Sequence, residues 1–357
     1  MWKDTAVARR LGLAAPIVQG PFGSGLSAVD LVVAVSESGG LGSFGVHHLD
    51  GAGIRKVAGE IRARTQRPFA LNLWIPLRDS DDPQMDDARW NAACELLRPY
   101  FTELAVPMPR RPARFGPRYQ EQVETVLELK PPVFSFVFGV PAPDVLERCR
   151  RAGIATLGAA TTPAEAKLLA DAGVDMIVAT GFEAGGHRVS FLQEPEDCLT
   201  GTLSLVPQVV DTVKVPVIAA GGMADGRGIA AALNLGASAA QIGTAFLACE
   251  ESNAAPLHRA SLFSAEARRT SLTRAFTGRL ARSIHNDFID AMRGREACFA
   301  PYPAHAWLTA QLRAAALAAG RTDLVSLWSG QGAPLLRHRR ARELFAWLVE
   351  DTTRRAG

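Results

Sequence analysis

The chain has 357 residues, 48% of them hydrophobic, which is ample for one large core with an appended subdomain. Lysine and arginine total 39 against 36 acidic residues, a net charge of +3 that offers no electrostatic footprint for nucleic acid, and no apolar run reaches membrane-spanning length. The five cysteines are odd in number, widely separated and without metal-ligand spacing, so neither a disulfide framework nor a bound metal is expected, and a reducing cytoplasm fits.

The first segment, Arg9-Arg10-Leu11-Gly12-Leu13, has the look of an export signal. Pro16 and Gln19 interrupt its apolar stretch, and the same residues are needed for a first strand, so the signal is rejected. Short β-rich apolar runs then recur along the chain, at 17–19, 41–46, 69–74, 133–139, 154–160, 176–181, 215–222 and 240–247. They are apolar throughout rather than alternating, as parallel strands buried on both faces should be. Helical patterns separate them. Thr162-Pro163-Ala164-Glu165 supplies a cap, a proline at the first helical position and an acid in the first turn, and Gly173 can close that helix. Eight strand–helix units match a TIM (β/α)8 barrel in the α/β class. An open doubly wound sheet would alternate in the same way, so the count alone leaves both open.

Two segments exceed a minimal barrel. About sixty residues separate the third and fourth strands, far more than an ordinary connection. They hold Asp79-Ser80-Asp81-Asp82-Pro83, a helical stretch over 92–100, a Pro/Arg-rich turn over 107–117 and a helix over 120–129. Roughly 110 residues follow Leu247 and read as mostly helical. The expected division is a barrel of 1–76 and 131–250, with 77–130 and 251–357 forming a helical, substrate-covering subdomain. Arg337, His338, Arg339, Arg340 and Arg342 read as the solvated face of a last helix.

The chemistry concentrates at strand ends. The seventh strand ends in Gly221-Gly222, before Asp225-Gly226-Arg227-Gly228 and a helix, and the eighth contains Gln241-Ile242-Gly243-Thr244. Glycines there let backbone N–H groups approach an anion, a helix N-terminus adds favourable partial charge, and barrels commonly bind phosphate at these two loops. The alternative is that each glycine only shapes a turn. The sixth strand runs into Thr180-Gly181-Phe182-Glu183-Ala184-Gly185-Gly186-His187-Arg188. A histidine just past a barrel strand faces the active-site end, Gly185 and Gly186 permit close approach of a planar ligand, and an imidazole with a pKa of about 6.5 can exchange protons near neutrality. Glu183 either orients it or caps a turn, and Arg188 either binds an anion or faces solvent. Asn72, inside an apolar strand, needs a polar partner, whether a ligand edge or a core backbone group. The turn Gln19-Gly20-Pro21-Phe22-Gly23-Ser24-Gly25 ends the first strand at the same face.

At these residues the chain resembles the nitronate monooxygenases. The resemblance runs over nearly the whole length and includes Gln19-Gly20-Pro21-Phe22, Ser38-Gly39-Gly40-Leu41-Gly42, Asn72-Leu73, Glu183-Ala184-Gly185-Gly186-His187-Arg188, Ala220-Gly221-Gly222 and Gln241-Ile242-Gly243-Thr244-Ala245-Phe246. Phe276-Thr277-Gly278-Arg279, Trp328-Ser329-Gly330-Gln331-Gly332 and the Pro-rich insert are its more particular parts. It implies a non-covalent FMN touched by Asn72, Gly185, Gly222, Gln241, Gly243 and Thr244, with Pro21, Phe22, Gly23, Thr180, Gly186 and Gly221 completing the expected cofactor-binding set. Thr180 stands where the family often has Gln, Phe22 where it has Met, and Val189 where it has Gly. His187 matches the family's catalytic histidine. The implied reaction takes an alkyl nitronate or nitroalkane and O2 to a carbonyl compound and nitrite. His187 would either donate a hydrogen bond to the nitro oxygens or abstract the α-proton of a neutral nitroalkane. The partners implied are that small substrate and O2, and a homodimer is one assembly open to the chain. Rival readings are an FMN-dependent enoyl-acyl-carrier-protein reductase, a specialised flavin oxidase of a biosynthetic pathway, and a flavin-binding barrel without turnover.

Overall fold

A computed structural model describes residues 2–77 and 85–356, so Asp79-Ser80-Asp81-Asp82-Pro83 lies outside the described residues. The strands are β1 (Ile17–Gln19), β2 (Gly42–Gly45), β3 (Phe69–Trp74), β4 (Val133–Val137), β5 (Ala155–Ala160), β6 (Met176–Thr180), β7 (Gly186–His187), β8 (Val217–Ala220), β9 (Ala239–Ile242), β10 (Thr270–Thr273) and β11 (Ala281–Ile284). Eight of them form one parallel sheet in the order β1-β9-β8-β6-β5-β4-β3-β2. A parallel bridge between Val18 and Leu41 joins the two ends, with Gln19 N–H donating to the Leu41 carbonyl at 2.9 Å and Leu41 N–H to the Ile17 carbonyl at 3.0 Å. The sheet is therefore a barrel and not an open doubly wound layer.

Strand periodicity sorts the side chains. Ala70, Met176, Val178, Ile218, Ala220 and Ala239 fill the barrel interior, while Leu71, Leu73, Ile177, Ala179, Val217 and Ala219 face the surrounding helices. Both sets are buried, which is why the strands read as unbroken apolar runs. The same period of two turns Asn72 and Trp74, Thr180, and Gln241 toward the axis, because they follow Ala70, Val178 and Ala239 by two residues, or by four for Trp74. All lie at or near strand C-terminal ends.

Thr162 caps its helix as expected, accepting from Glu165 N–H at 3.2 Å, with Pro163 in the first turn. Elsewhere the structure corrects the sequence reading. The eighth run is strand only to Ile242. Thr244–Leu247 is a short helix, and Leu247 N–H donates to the Gly243 carbonyl at 3.0 Å. A short buried apolar run has no period that separates strand from helix. The helix Tyr119–Leu129, expected in the covering subdomain, buries Val123 and Val126 in the outer barrel cluster beside Ile54, Ile61 and Cys149, so it packs as the shell helix that follows β3. The insert's other helix, Asp87–Glu103, does pack with the tail. Its stripe of Trp90, Ala93, Leu97 and Phe101 meets Phe288, Leu308 and Leu312. The final helix, Ala341–Thr353, returns to the barrel against Val29–Glu37 and Gly226–Asn234. The basic cluster is solvated as expected, but only Arg342 lies on that helix: Arg337 to Arg340 precede it, and the exposed Arg337 and Arg339 lie over the rings of Trp347 and Phe263.

The tail is not purely helical. β10, β11 and β7 form an antiparallel sheet, in which Ala281 pairs with His187 and Arg282 with Gly186. Among the described residues no helix is long and apolar enough to cross a membrane.

Two buried histidines brace the tail. His258 Nε2 lies 3.0 Å from the Trp328 carbonyl, and His305 Nε2 lies 2.9 Å from the Ala275 carbonyl. Burial pushes both pKa values down from 6.5 to about 4. A depressed folded-state value means that the unfolded chain binds protons first, so the stability these groups contribute is complete above pH ~6.5 and is lost as pH falls toward ~4. Unfolding free energies from denaturant titrations at about pH 7.5 and about pH 5 should therefore drop on acidification, by on the order of 1–2 kcal/mol per histidine, and the midpoints with them. An unchanged midpoint would mean that these rings are not held neutral.

Candidate active site

A cleft open to solvent lies at the C-terminal end of the barrel. Pro21, Phe22, Gly23, Asn72, Thr180, Gly185, Gly186, His187, Gly221, Gly222, Gln241, Gly243 and Thr244 all line it. The sequence reading thus placed thirteen residues in one cavity, although they come from five separate stretches of chain. Trp328, Gly330 and Gly332 of the tail complete the wall.

One end of the cleft suits a phosphate. Gly221 and Gly222 adopt φ of +117° and +70°, a left-handed backbone that side-chain-bearing residues seldom take. A Cβ built on Gly243 would meet nothing within 4 Å, so that position opens onto the cavity it lines. Among the described residues the N–H groups of Gly222, Met223, Gly243 and Thr244 have no protein acceptor. The expected contribution from the helix Gly226–Asn234 is corrected. Its first N–H groups are taken by carboxylates, Gly226 by Asp351 at 2.9 Å and Arg227 by Asp225 at 3.0 Å. Both carboxylates are themselves paired, Asp225 with Arg227 and Asp351 with Arg354 and Arg355, and with these N–H groups occupied the donors that remain are those of the strand-end loops themselves.

The neighbouring polar groups are held by local bonds. Asn72 Nδ2 donates to Ser135 Oγ at 3.1 Å, an in-barrel partner neither of the two expected kinds. Ser27 Oγ accepts from Phe22 N–H and Gly45 N–H, both at 3.1 Å, and donates to the Phe22 carbonyl at 2.9 Å, which pins the Pro21–Gly23 turn to β2. Glu183 does not reach His187. Its carboxylate accepts from Thr202 N–H at 2.9 Å and Thr202 Oγ1–H at 2.9 Å, capping the helix Thr202–Thr212. Arg188 is buried rather than solvated or anion-binding. Its guanidinium donates to the carbonyls of Thr180, Gly181 and Cys198 and ties the end of β6 to the following loop.

His187 sits in β7, so its backbone is set by β11 of the tail. Its ring lies among Trp74 at 5.0 Å, Trp328 at 5.5 Å, Phe138 at 6.4 Å and Tyr302 at 6.5 Å between centroids, yet it keeps an edge on the cavity. Nε2 lies 3.0 Å from Thr277 Oγ1. Burial, with the Arg279 guanidinium adding to it, pushes the His187 pKa down from 6.5 to about 3, so the ring is neutral at physiological pH. Arg279 itself is stacked on Tyr302 at 3.9 Å and Phe138 at 4.8 Å. Trp74, Trp328, Thr277, Tyr302 and Arg279 were not read from sequence as site residues. Trp74 had a signal, since it follows Asn72 by two residues on one strand. The others approach from a tail that local pattern cannot orient.

This arrangement fits a flavin nucleotide, with phosphate donors at one end and polar and aromatic groups at the other. Replacing Gly243 by leucine would project a side chain into the phosphate end. The expected outcome is a folded protein, unaltered by circular dichroism, that binds flavin at least ~10-fold more weakly, about 1.4 kcal/mol. Full flavin retention would put the phosphate elsewhere.

Comparison with known proteins agrees with this geometry. A family model described as nitronate monooxygenase matches residues 7–351. A probable nitronate monooxygenase of Staphylococcus haemolyticus is 36% identical over 353 residues, covering 98% of both chains. Among solved structures, nitroalkane oxidase from Streptomyces ansochromogenes superposes with a TM-score of 0.88 at 38% identity, covering 98% of each chain. FabK from Thermotoga maritima superposes with a TM-score of 0.73 at 27% identity, covering 98% of this chain and 96% of that one. With the family model matching residues 7–351 and a relative 36% identical over 98% of its length, this chain belongs to the nitronate monooxygenase family of oxidoreductases.

Proposed function

We propose that the protein uses FMN to oxidise a small alkyl nitronate or nitroalkane with O2, giving a carbonyl compound and nitrite. The observation that carries this reading is the neutral imidazole of His187, which lines an aromatic-walled cleft whose far end presents the backbone donors of Gly222, Gly243 and Thr244. FMN, when bound, supplies the electron acceptor for the substrate carbon. The protein's own residues do the rest. The strand-end loops after β8 and β9 hold the phosphate, and Asn72, Thr180 and Gln241, turned toward the barrel axis, offer polar edges to the ring system. Phe22, Trp74 and Trp328 form apolar walls, which favour a compact substrate and exclude water from the reacting carbon. His187 exchanges a proton or a hydrogen bond with that substrate. The helix Asp87–Glu103, packed with Ala304–Ala318 of the tail, serves as the cover over this end of the barrel.

Anaerobic mixing of the purified yellow protein with propionate 3-nitronate should change the flavin spectrum, and admitting air should release nitrite. Bleaching by NADPH but not by nitronate would instead select an enoyl-reductase reaction. His187→Ala should retain flavin and lose ~10²-fold or more of kcat/KM on a neutral nitroalkane, the usual scale for a positioned acid–base group. Unchanged turnover would remove His187 from the chemistry.

A further inference from the structure

A second cluster of chemistry-bearing side chains lies outside the cleft, where β10, β11 and the helix Asp287–Met292 meet. Ser271 pairs with Ser283 across β10 and β11, and His285 follows Ser283 by two residues, so the strand period puts Ser271 and His285 on one face. Ser271 Oγ lies 2.8 Å from His285 Nδ1, and His285 Nε2 lies 2.8 Å from Asp290 Oδ2. The segment between histidine and aspartate is held in place. Asn286 accepts from Ile289 N–H at 3.3 Å, which caps the helix, and donates to the carbonyls of Thr322 and Val325 at 3.1 and 2.9 Å. Arg293 donates to the other oxygen of Asp290, Oδ1, at 2.9 Å. The hydrogen bond from His285 holds the Asp290 carboxyl below its ordinary value, with the charges of Arg293 and Arg269 adding to it. An ionised carboxylate only accepts, so a neutral ring carries its hydrogen on Nε2 and turns the Nδ1 lone pair to the serine. Ser271 Oγ makes no other hydrogen bond among the described residues, and its hydrogen therefore goes to Nδ1. The imidazole is covered, with 5% of its side chain exposed, whereas Ser271 is half-buried and Asp290 lies at the surface.

Hydroxyl to imidazole to carboxylate is the connectivity of an activated serine, here with the ring turned end for end relative to the usual triad. Either ring nitrogen serves as the base once the other is held by a carboxylate. Arg269 stands across from His285, whose N–H donates to the Arg269 carbonyl at 2.9 Å, so the arginine side chain shares the face of Ser271 and His285. Arg269 is exposed, and its guanidinium has no hydrogen bond or ion pair among the described residues, which leaves a cation free for an acyl oxygen gaining negative charge. We propose that Ser271, His285 and Asp290 form a second reactive centre, in which Ser271 takes the acyl group of a small activated carboxylic ester and passes it to water. The first step forms the bond from Ser271 Oγ to the acyl carbon and breaks the ester C–O bond. The serine proton passes through His285 Nδ1 to the departing alcohol. In the second step water attacks the acyl carbon, the bond to Oγ breaks, the carboxylic acid leaves, and His285 returns a proton to Oγ. Asp290 offsets the positive charge on the ring between these transfers. None of these residues lines the flavin cleft, so the proposal stands apart from nitro-compound oxidation.

The test uses the full chain with its flavin and two probes. Diisopropyl fluorophosphate exchanges its P–F bond for a bond to an activated serine oxygen, releasing fluoride and the hydroxyl proton, and p-nitrophenyl acetate releases p-nitrophenol on acyl transfer. Peptide mapping by mass spectrometry should place the phosphoryl adduct on Ser271. In His285→Gln both the labelling rate and p-nitrophenol release should fall at least ~100-fold, the scale of a lost general base. Asp290→Asn changes a surface side chain and spares the fold should His285→Gln not do so. It should slow both by at least ~10-fold. Ser271→Ala should abolish the adduct and the p-nitrophenol release that depends on His285, with flavin content and circular dichroism unchanged. Absence of an adduct on Ser271, p-nitrophenol release unaltered by Ser271→Ala, or labelling of Ser271 that is as fast in Asp290→Asn as in the wild type would overturn the proposal and leave the three residues as a brace between β10 and the helix Asp287–Met292.

Discussion

The antiparallel pairing of Gly186-His187 with Ala281-Arg282 is the constraint on which the site depends. In a plain barrel the loop after the sixth strand would be a mobile connection, and a histidine there would sample many directions. Here two residues of that loop become a strand of a second sheet. The imidazole then inherits the rigidity of the tail, while the glycines before it remain at the barrel mouth. Arg282 secures the same junction from the other side, donating to the Phe182 carbonyl at 2.9 Å and to Thr270 Oγ1 at 3.0 Å.

Burial at this junction does electrostatic work as well as mechanical work. Aromatic walls and a nearby guanidinium make a charged imidazole costly, so His187 waits as a neutral ring. His47 behaves alike: stacked on Trp74 at 3.9 Å, it is also driven well below its usual pKa by burial, with the His48, His187 and Arg279 charges adding to the effect. At neutral pH both rings are therefore held without a proton unless a counter-charge appears beside them. That condition ties protonation of the site to events on a substrate rather than to bulk pH.

The phosphate end follows a different economy. Its candidate donors are backbone groups of short strand-end loops, because Asp225 and Asp351 occupy the first N–H groups of the nearest long helix. Asp351 belongs to the final helix, so the C-terminal segment that completes the barrel shell also decides which N–H groups remain for a ligand. One arrangement of charges thus serves both the packing of Ala341–Thr353 and the placement of the anion site.

What the amino-acid order determined alone was local and periodic. Apolar runs buried on both faces named all eight barrel strands, Thr162-Pro163 named a helix start, and the glycines at 185–186, 221–222 and 243 marked stretches of the cleft wall, although the space beside Gly185 is filled by Ser329 and Gly330 of the tail and that beside Gly221 by Thr202. The resemblance of the Gly-Gly-His stretch then pointed to the chemistry. Tertiary structure alone decided the rest. That Thr244–Leu247 is helix, that Tyr119–Leu129 joins the barrel shell, that Glu183 and Arg188 serve the backbone, and that Thr277 meets His187 across ninety positions are all matters of long-range contact. Short apolar runs lack a decisive period, and a hydroxyl or carboxylate takes its partner from whatever the fold brings within about 3 Å of it.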